Sequence, residues 1–317
     1  MGSEGPMNVL ITGGYGNLGS WLVEAFAGAG HSVTVLSRSK KDFLNHIPHQ
    51  FIECDITNAQ SCQQVAGQGF NCIIHAASQN DYFIDDYARK ALEINTLGTR
   101  NLLEAIKNEP SCRFLYFSTF HVYGAADGSI NEESPTHPRN DYASTHLFAE
   151  HYVRQFHATS GVPFEIIRLT NSYGCPLDRN TSKWYLVLND LAKMAVEKQA
   201  IVLNSNGKAQ RDFIWMGDVC NALLQLAQLP ESTNSTYNLG SQHTYQVLEI
   251  AQAVQRAYQQ RYNKELPIQV NEADTNPYDK VLQVDSSKLA SIVDLQPQER
   301  FAEEAEKIME LLEVQQG

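Results

Sequence analysis

Three glycines fix more of this chain than any other feature. Gly13, Gly16 and Gly19 follow the apolar run Val9-Leu10-Ile11-Thr12 and lead directly into Trp21, Leu22, Val23, Ala25 and Phe26. Strand, glycine turn and helix in that order form the phosphate-binding unit of a dinucleotide site. One glycine makes the tight turn, one lets a pyrophosphate approach the backbone, and one brings the helix against the strand. The phosphates then rest on unpaired N–H groups at the helix N-terminus. Gly13, Tyr15, Gly16, Asn17, Leu18 and Gly19 are accordingly expected at the cofactor.

Downstream, short apolar runs alternate with helical stretches. Residues 31–36, 50–54, 71–74 and 113–117 read as strands, and residues 86–108 carry Ala91, Leu92, Leu102, Leu103 and Ile106 at helical spacing. Asn58 reads as a helix cap. Alternation of this kind predicts an α/β fold with a doubly wound parallel sheet, helices on both faces and ligands at the carboxyl ends of the strands. The second strand ends in Ser37 and Arg38 with no acidic residue. A carboxylate there suits the 2′-hydroxyl of NAD and an arginine the 2′-phosphate of NADP, so NADP is favoured and NAD stays open. Asp55 and Ile56 are placed to touch an adenine. The small residues of His75-Ala76-Ala77 let a cofactor lie against the fourth strand, and Asn95 puts a polar side chain where the long helix passes the sheet.

The net charge of −12 argues against nucleic acid or an anionic membrane as partner. The six cysteines, at 54, 62, 72, 112, 175 and 220, form no Cys-x-x-Cys pair. Reduced thiols in a cytoplasmic protein and no metal site are expected. No run approaches the roughly 20 apolar residues that span a bilayer. Residues 1–6 read as a polar leader ahead of Met7.

Two segments carry chemistry. Ser118-Thr119-Phe120-His121-Val122-Tyr123-Gly124 leaves the fifth strand at its carboxyl edge, so its hydroxyls are expected to face the crevice. Asp141-Tyr142-Ala143-Ser144-Thr145-His146 opens a helix in which Tyr142 and His146, four apart, share one face. Together with the glycines, His75-Ala-Ala and Asn95-x-x-Gly98-Thr99, these resemble the extended short-chain dehydrogenases/reductases, the family of sugar-nucleotide epimerases, dehydratases and ketoreductases. Arg168-Leu-Thr-Asn171, Arg211-Asp212-Phe213-Ile214 and Tyr237-Asn-Leu-Gly240 extend the likeness over nearly the whole chain.

The resemblance implies a Rossmann domain over 7–170 and about 213–235, interleaved with a smaller α/β substrate lobe over 171–212 and 236–317. It implies Tyr142 as the acid/base toward a sugar hydroxyl, with Thr119, Ser118 and His146 beside it, and Tyr142 and His146 also at the nicotinamide. His121, Asn171 and Arg211 would meet a nucleoside-diphosphate sugar. Relatives commonly dimerise through the helix near residue 95 and the Tyr142 helix, so a homodimer is expected. Two departures stand out. His146 occupies the position where the family carries a lysine, and an imidazole with an ordinary pKa of about 6.5 gives a phenol little Coulombic help at neutral pH. Phe120-His121 occupies the acidic pair of the dehydratases, which disfavours 4,6-dehydration. The implied activity is NAD(P)-dependent oxidoreduction at carbon 4 of the sugar, as a 4-ketoreductase or a 4-epimerase. A dinucleotide-binding sensor or scaffold with reduced or lost turnover is the alternative.

Overall fold

A computed structural model describes residues 5–313; residues 1–4 of the expected leader lie outside them. The chain runs β1 (Asn8–Thr12), α1 (Asn17–Gly28), β2 (Ser32–Ser37), β3 (Gln50–Glu53), α2 (Ala59–Cys62), β4 (Cys72–His75), α3 (Tyr87–Ala91) and α4 (Thr99–Ile106). Next come β5 (Arg113–Thr119), β6 (Gly128–Ile130), α5 (Asp141–Ser160), β7 (Phe164–Leu169), β8 (Asn171–Tyr173), α6 (Val187–Lys198), β9 (Ile201–Val202) and β10 (Gln210–Trp215). The last part adds α7 (Met216–Ala227), β11 (Ser235–Leu239), β12 (Thr244–Gln246), α8 (Val247–Tyr262), β13 (Ile268–Gln269), β14 (Leu282–Val284), α9 (Ser287–Ala290) and α10 (Phe301–Glu313).

Seven strands form one sheet in the order β11-β7-β5-β4-β1-β2-β3, and every pairing in it is parallel. This is the expected doubly wound fold. The connections reverse direction between β1 and β4, which opens a crevice at the carboxyl edge there. Helices cover both faces, so the central strands are buried throughout: all of Cys72–His75 and Arg113–Thr119 is inside. On one face Leu22, Val23 and Phe26 of α1 meet Val219, Leu223 and Leu226 of α7. On the other, Leu102, Leu103 and Ile106 of α4 meet Ala149, Val153 and Phe156 of α5. A separate core joins α6, α8 and α10 through Leu191, Val254 and Ile308, and this is the smaller lobe.

Two boundaries differ from the expected ones. Phe213 does not return to the main sheet, because β10 pairs with β8 and β12 in a three-stranded sheet of its own. The strand that does return is β11, paired with β7, so the main domain takes in residues 236–239, expected in the lobe. The helix expected over 86–108 runs from Tyr87 to Ile106 with a π-helical segment, Leu92–Gly98, in its middle. That wider turn brings Gly98 against Ile56, where an added Cβ would lie 2.7 Å from Ile56 Cδ1. Asn58 caps α2, its side chain accepting from the Ser61 N–H at 3.0 Å. Among the described residues no helix is long and apolar enough to cross a membrane.

Candidate active site

A cavity of about 1050 Å³ opens at the crevice, walled on one side by the main sheet and on the other by the lobe. Its floor is the glycine turn. Gly13 adopts φ +66°, and a Cβ there would lie 2.8 Å from the Ala77 Cα; a Cβ on Gly19 would lie 2.0 Å from the Gly13 carbonyl oxygen. Side chains are excluded on both counts. α1 begins at Gly16 with no side-chain cap and no acidic residue in its first turn. Its leading N–H groups and positive dipole end are therefore left for an anion, and Gly13, Gly16, Asn17, Leu18 and Gly19 all line the cavity. This arrangement fits a dinucleotide pyrophosphate. Ser37 and Arg38 from the end of β2, Asp55 and Ile56 after β3, and Ala76 and Ala77 after β4 continue the wall.

Three expected cofactor residues do not reach the cavity. Tyr15 turns inward, its hydroxyl on His49 Nε2 at 3.0 Å and its ring against Phe43 and Phe51. His75, 1 % exposed, is pinned between the Thr12 hydroxyl (2.6 Å) and the Thr99 hydroxyl (2.9 Å). Burial, aided by His146, holds its pKa down at about 3. Asn95 braces the loop after β4 instead: its Oδ1 accepts from the Gln79 N–H at 2.6 Å, and its Nδ2 donates to the Gln79 carbonyl and to Thr145 Oγ1. Each is a polar residue at the right place in the chain whose side chain satisfies itself within the protein.

At the far end of the cavity stand Thr119, Tyr142, His146, His121, Asn171 and Arg211. Asn140 starts α5, its Oδ1 accepting from the Ala143 N–H at 2.8 Å, and so places Tyr142 at the mouth of the first turn. Tyr142 and His146 meet edge to face with ring centres 4.6 Å apart. Burial lifts the Tyr142 phenol above its ordinary value, and a hydrogen bond from Thr119 opposes that. Burial drives His146 down to about 4 against the pull of Glu150, so at neutral pH the ring carries no charge. His146 is 3 % exposed; its Nδ1 pairs with the Tyr116 hydroxyl at 2.7 Å, and its Nε2 is buried without a partner. His121 stacks on Phe120 at 4.2 Å and lies 6.0 Å from the Tyr142 ring. Burial and the neighbouring Arg211 guanidinium hold its pKa below the usual histidine value. Asn171 Nδ2 donates to the Asp212 carbonyl at 2.8 Å, which ties β8 to β10.

Ser118 behaves differently from its expected role. The residue lines the cavity, but its hydroxyl donates inward to Glu150 Oε1 at 2.6 Å. Glu150, fully buried, also accepts from Arg168 (2.9 and 2.7 Å) and Arg154 (2.8 Å). Burial works against this carboxylate, but the Arg168 bonds outweigh it and keep its pKa below the usual range. A second unforeseen feature spans the cavity mouth. Asp81, after β4, is gripped by Lys183, by Ser182 Oγ at 3.0 Å and by the Tyr185 hydroxyl at 2.9 Å, which joins the loop after β4 to the lobe. Only the Arg154–Glu150 pair, four residues apart on α5, leaves a local signal; the other partners lie 18 to 104 residues apart. Among the described residues no group of three His, Cys, Asp or Glu side chains is arranged to hold a metal ion.

The chain is 28% identical over 265 residues to a dTDP-glucose 4,6-dehydratase of Streptomyces niveus, covering 78% of this chain and 76% of that protein. In fold it is similar to the UDP-glucuronic acid 4-epimerase of Bacillus cereus solved with UDP-glucuronic acid and NAD, with TM-score 0.79, 20% identity, and coverage of 98% of this chain and 100% of that one. It is also similar to RMD of Pseudomonas aeruginosa solved with NADPH, with TM-score 0.78, 24% identity, and coverage of 98% and 99%. The family model matches residues 9–240, from β1 through the glycine turn and the Tyr142 helix to the end of β11. This chain belongs to the NAD dependent epimerase/dehydratase family.

Proposed function

We propose that the chain uses NADP, or else NAD, to move a hydride at carbon 4 of a nucleoside-diphosphate sugar, acting as a 4-ketoreductase in preference to a 4-epimerase. The observation that carries this is Tyr142 beside Thr119, facing one cavity that begins at the glycine turn and ends at Arg211. The bound nicotinamide supplies the hydride donor or acceptor. In reduction the Tyr142 phenol gives its proton to the oxygen of the carbonyl being reduced, and in oxidation the phenolate takes it back, while Thr119 Oγ1 holds that oxygen. Arg211 clamps the diphosphate as a charge-assisted donor, Asn171 and His121 border the sugar, and the His146 Nε2 meets the nicotinamide ribose.

Two features favour reduction. Arg38 suits the 2′-phosphate of NADP. A phenol whose pKa is raised, beside an imidazole without charge, is kept in the acid form that reduction needs. Dehydration is disfavoured, because Phe120 and His121 bring no carboxylic acid to the sugar. The neutral His146 is also what favours the second reading, a dinucleotide sensor without turnover.

The test is to identify any dinucleotide that purifies with the protein, then to follow nicotinamide absorbance with UDP- and dTDP-linked 4-keto sugars. Tyr142→Phe is expected to abolish turnover and leave dinucleotide affinity nearly intact. A variant as fast as the parent overturns the catalytic assignment; tightly held NAD with no net consumption selects the epimerase; no reaction with any sugar selects the sensor. We extend the reading to a homodimer through α5 and the Tyr87-to-Ile106 helix, where Leu92, Leu97 and Phe148 reach solvent, and light scattering reads the mass directly.

A further inference from the structure

We infer that Tyr116, a β5 residue with no wall on the cavity, is a positioning residue: it decides which nitrogen of His146 carries the proton and so makes Nε2 a fixed hydrogen-bond donor at the cofactor end of the site. The inference rests on the reading of His146 as the residue that meets the nicotinamide ribose. A lysine at that position would present donors in any orientation. A neutral imidazole has one, on whichever nitrogen its surroundings dictate.

The surroundings here are directional. At one end the Ala77 N–H can only donate, and it does so to Thr12 Oγ1 at 3.2 Å. At the other end the Asn95 carbonyl can only accept, and it takes the Thr99 hydroxyl proton at 2.6 Å. Thr99 Oγ1 must then accept from His75 Nε2–H at 2.9 Å, and His75 Nδ1 must accept from the Thr12 hydroxyl at 2.6 Å. Every proton in that chain is committed. The Tyr116 hydroxyl, on a residue 2 % exposed, meets His146 Nδ1 at 2.7 Å, with the Thr99 hydroxyl, whose own proton is committed to the Asn95 carbonyl, on its other side. Of the two acceptors it faces, the imidazole nitrogen is the stronger base and the closer, so the hydroxyl donates to Nδ1 and the proton of the neutral ring is left on Nε2. The Phe117 backbone is near enough to favour the protonated ring, but it does not meet Nε2 in hydrogen-bonding geometry, and Nε2 remains a buried polar atom without a partner. An unpaired buried donor at the edge of a ligand cavity is what a ligand acceptor would satisfy.

The pattern of β5 explains why a tyrosine can do this. Side chains alternate along a strand, and Phe114 and Tyr116 share the face covered by α5. Tyr116 thus lies beneath the helix that carries both Tyr142 and His146, held by the core and not by any ligand.

Two measurements test the inference without a sugar substrate, so its failure is separable from failure of the proposed activity. Long-range proton–nitrogen NMR of the parent protein at neutral pH is expected to show His146 as the Nε2–H tautomer; a predominantly Nδ1–H ring overturns the inference. Binding of NADPH and of NAD to a double-mutant cycle supplies the second readout. Loss of one directed hydrogen bond predicts that Tyr116→Phe weakens dinucleotide binding by about three- to tenfold, with His146 becoming a mixture of tautomers. In a His146→Lys background the same Tyr116→Phe change should alter affinity by less than about twofold, because an ammonium has no tautomer to set. An equal loss in both backgrounds would mean that Tyr116 is merely structural.

Discussion

Replacing His146 by lysine should move the pH dependence of sugar oxidation downward and leave reduction at neutral pH little changed. In the parent no cation adjoins the Tyr142 phenol, and burial holds its pKa above the ordinary value. Taking the 4.6 Å between ring centres as the separation an ammonium would keep, attraction to the phenolate amounts to roughly 3–4 kcal/mol at an effective dielectric of about 20. Desolvation of the buried ammonium takes back part of this, leaving a fall of roughly one to two pKa units. Oxidation requires the phenolate, so its rate rises with pH toward the phenol pKa, and the variant should be about 10–100-fold faster at pH 7. Reduction requires the phenol, which stays protonated at neutral pH in both proteins. The assay is the initial rate in both directions between pH 6 and roughly 10, with dinucleotide saturating. An oxidation limb that stays in place or moves to higher pH refutes the assignment of position 146 as the residue that governs this phenol. No reaction in either direction, in the parent or in the variant, supports the sensor reading.

Two further perturbations probe the scaffold and the cofactor. Arg168→Met leaves Glu150 buried with its main partner gone and should cost about 3–5 kcal/mol of unfolding free energy, read by urea denaturation. Because the Glu150 pKa is depressed in the folded state, its contribution is full above the unfolded value of about 4.3 and is lost as pH falls below it; in the variant that acid-side slope should disappear. Arg38→Asp removes a charged donor from the end of β2 and should shift the NADP-to-NAD preference by about ten- to hundredfold in kcat/KM. An unchanged ratio would mean that Arg38 makes no contact with the cofactor.

The main sheet was legible because its strands are short apolar runs closed by turn residues, and because parallel strands covered on both faces need no alternation to be recognised. The three-stranded sheet was not. β8 and β12 are three residues long, and β10 joins them through pairing that no local pattern encodes. Side-chain direction was the other blind spot. Ser118 was placed in the crevice with Thr119 because both end β5, although neighbours on a strand point to opposite faces. Counting by twos from Phe114 through Tyr116 to Ser118 would have put that hydroxyl under α5, where Glu150 waits one turn beyond His146. Tyr15 and His75 show the same limit, for a polar residue beside a ligand site is as well served by a partner inside the protein as by the ligand.

One face of α5 repeats every four residues: Tyr142, His146, Glu150, Arg154. It runs from the cavity through the core and out to the surface as phenol, imidazole, carboxylate and a half-exposed guanidinium. The lower half is already balanced, since Glu150 is shared by Arg154 and Arg168. A lysine at 146 would add a cation above a carboxylate that has two. A neutral histidine avoids that burden and supplies a donor whose direction comes from Tyr116. The cost falls on the phenol, which keeps its proton to high pH without a cation beside it. In an enzyme that must first abstract a proton this is a defect. In one that must deliver a proton to a newly reduced carbonyl oxygen it is an advantage, and that asymmetry, with Arg38 at the end of β2, is the support for the proposed direction.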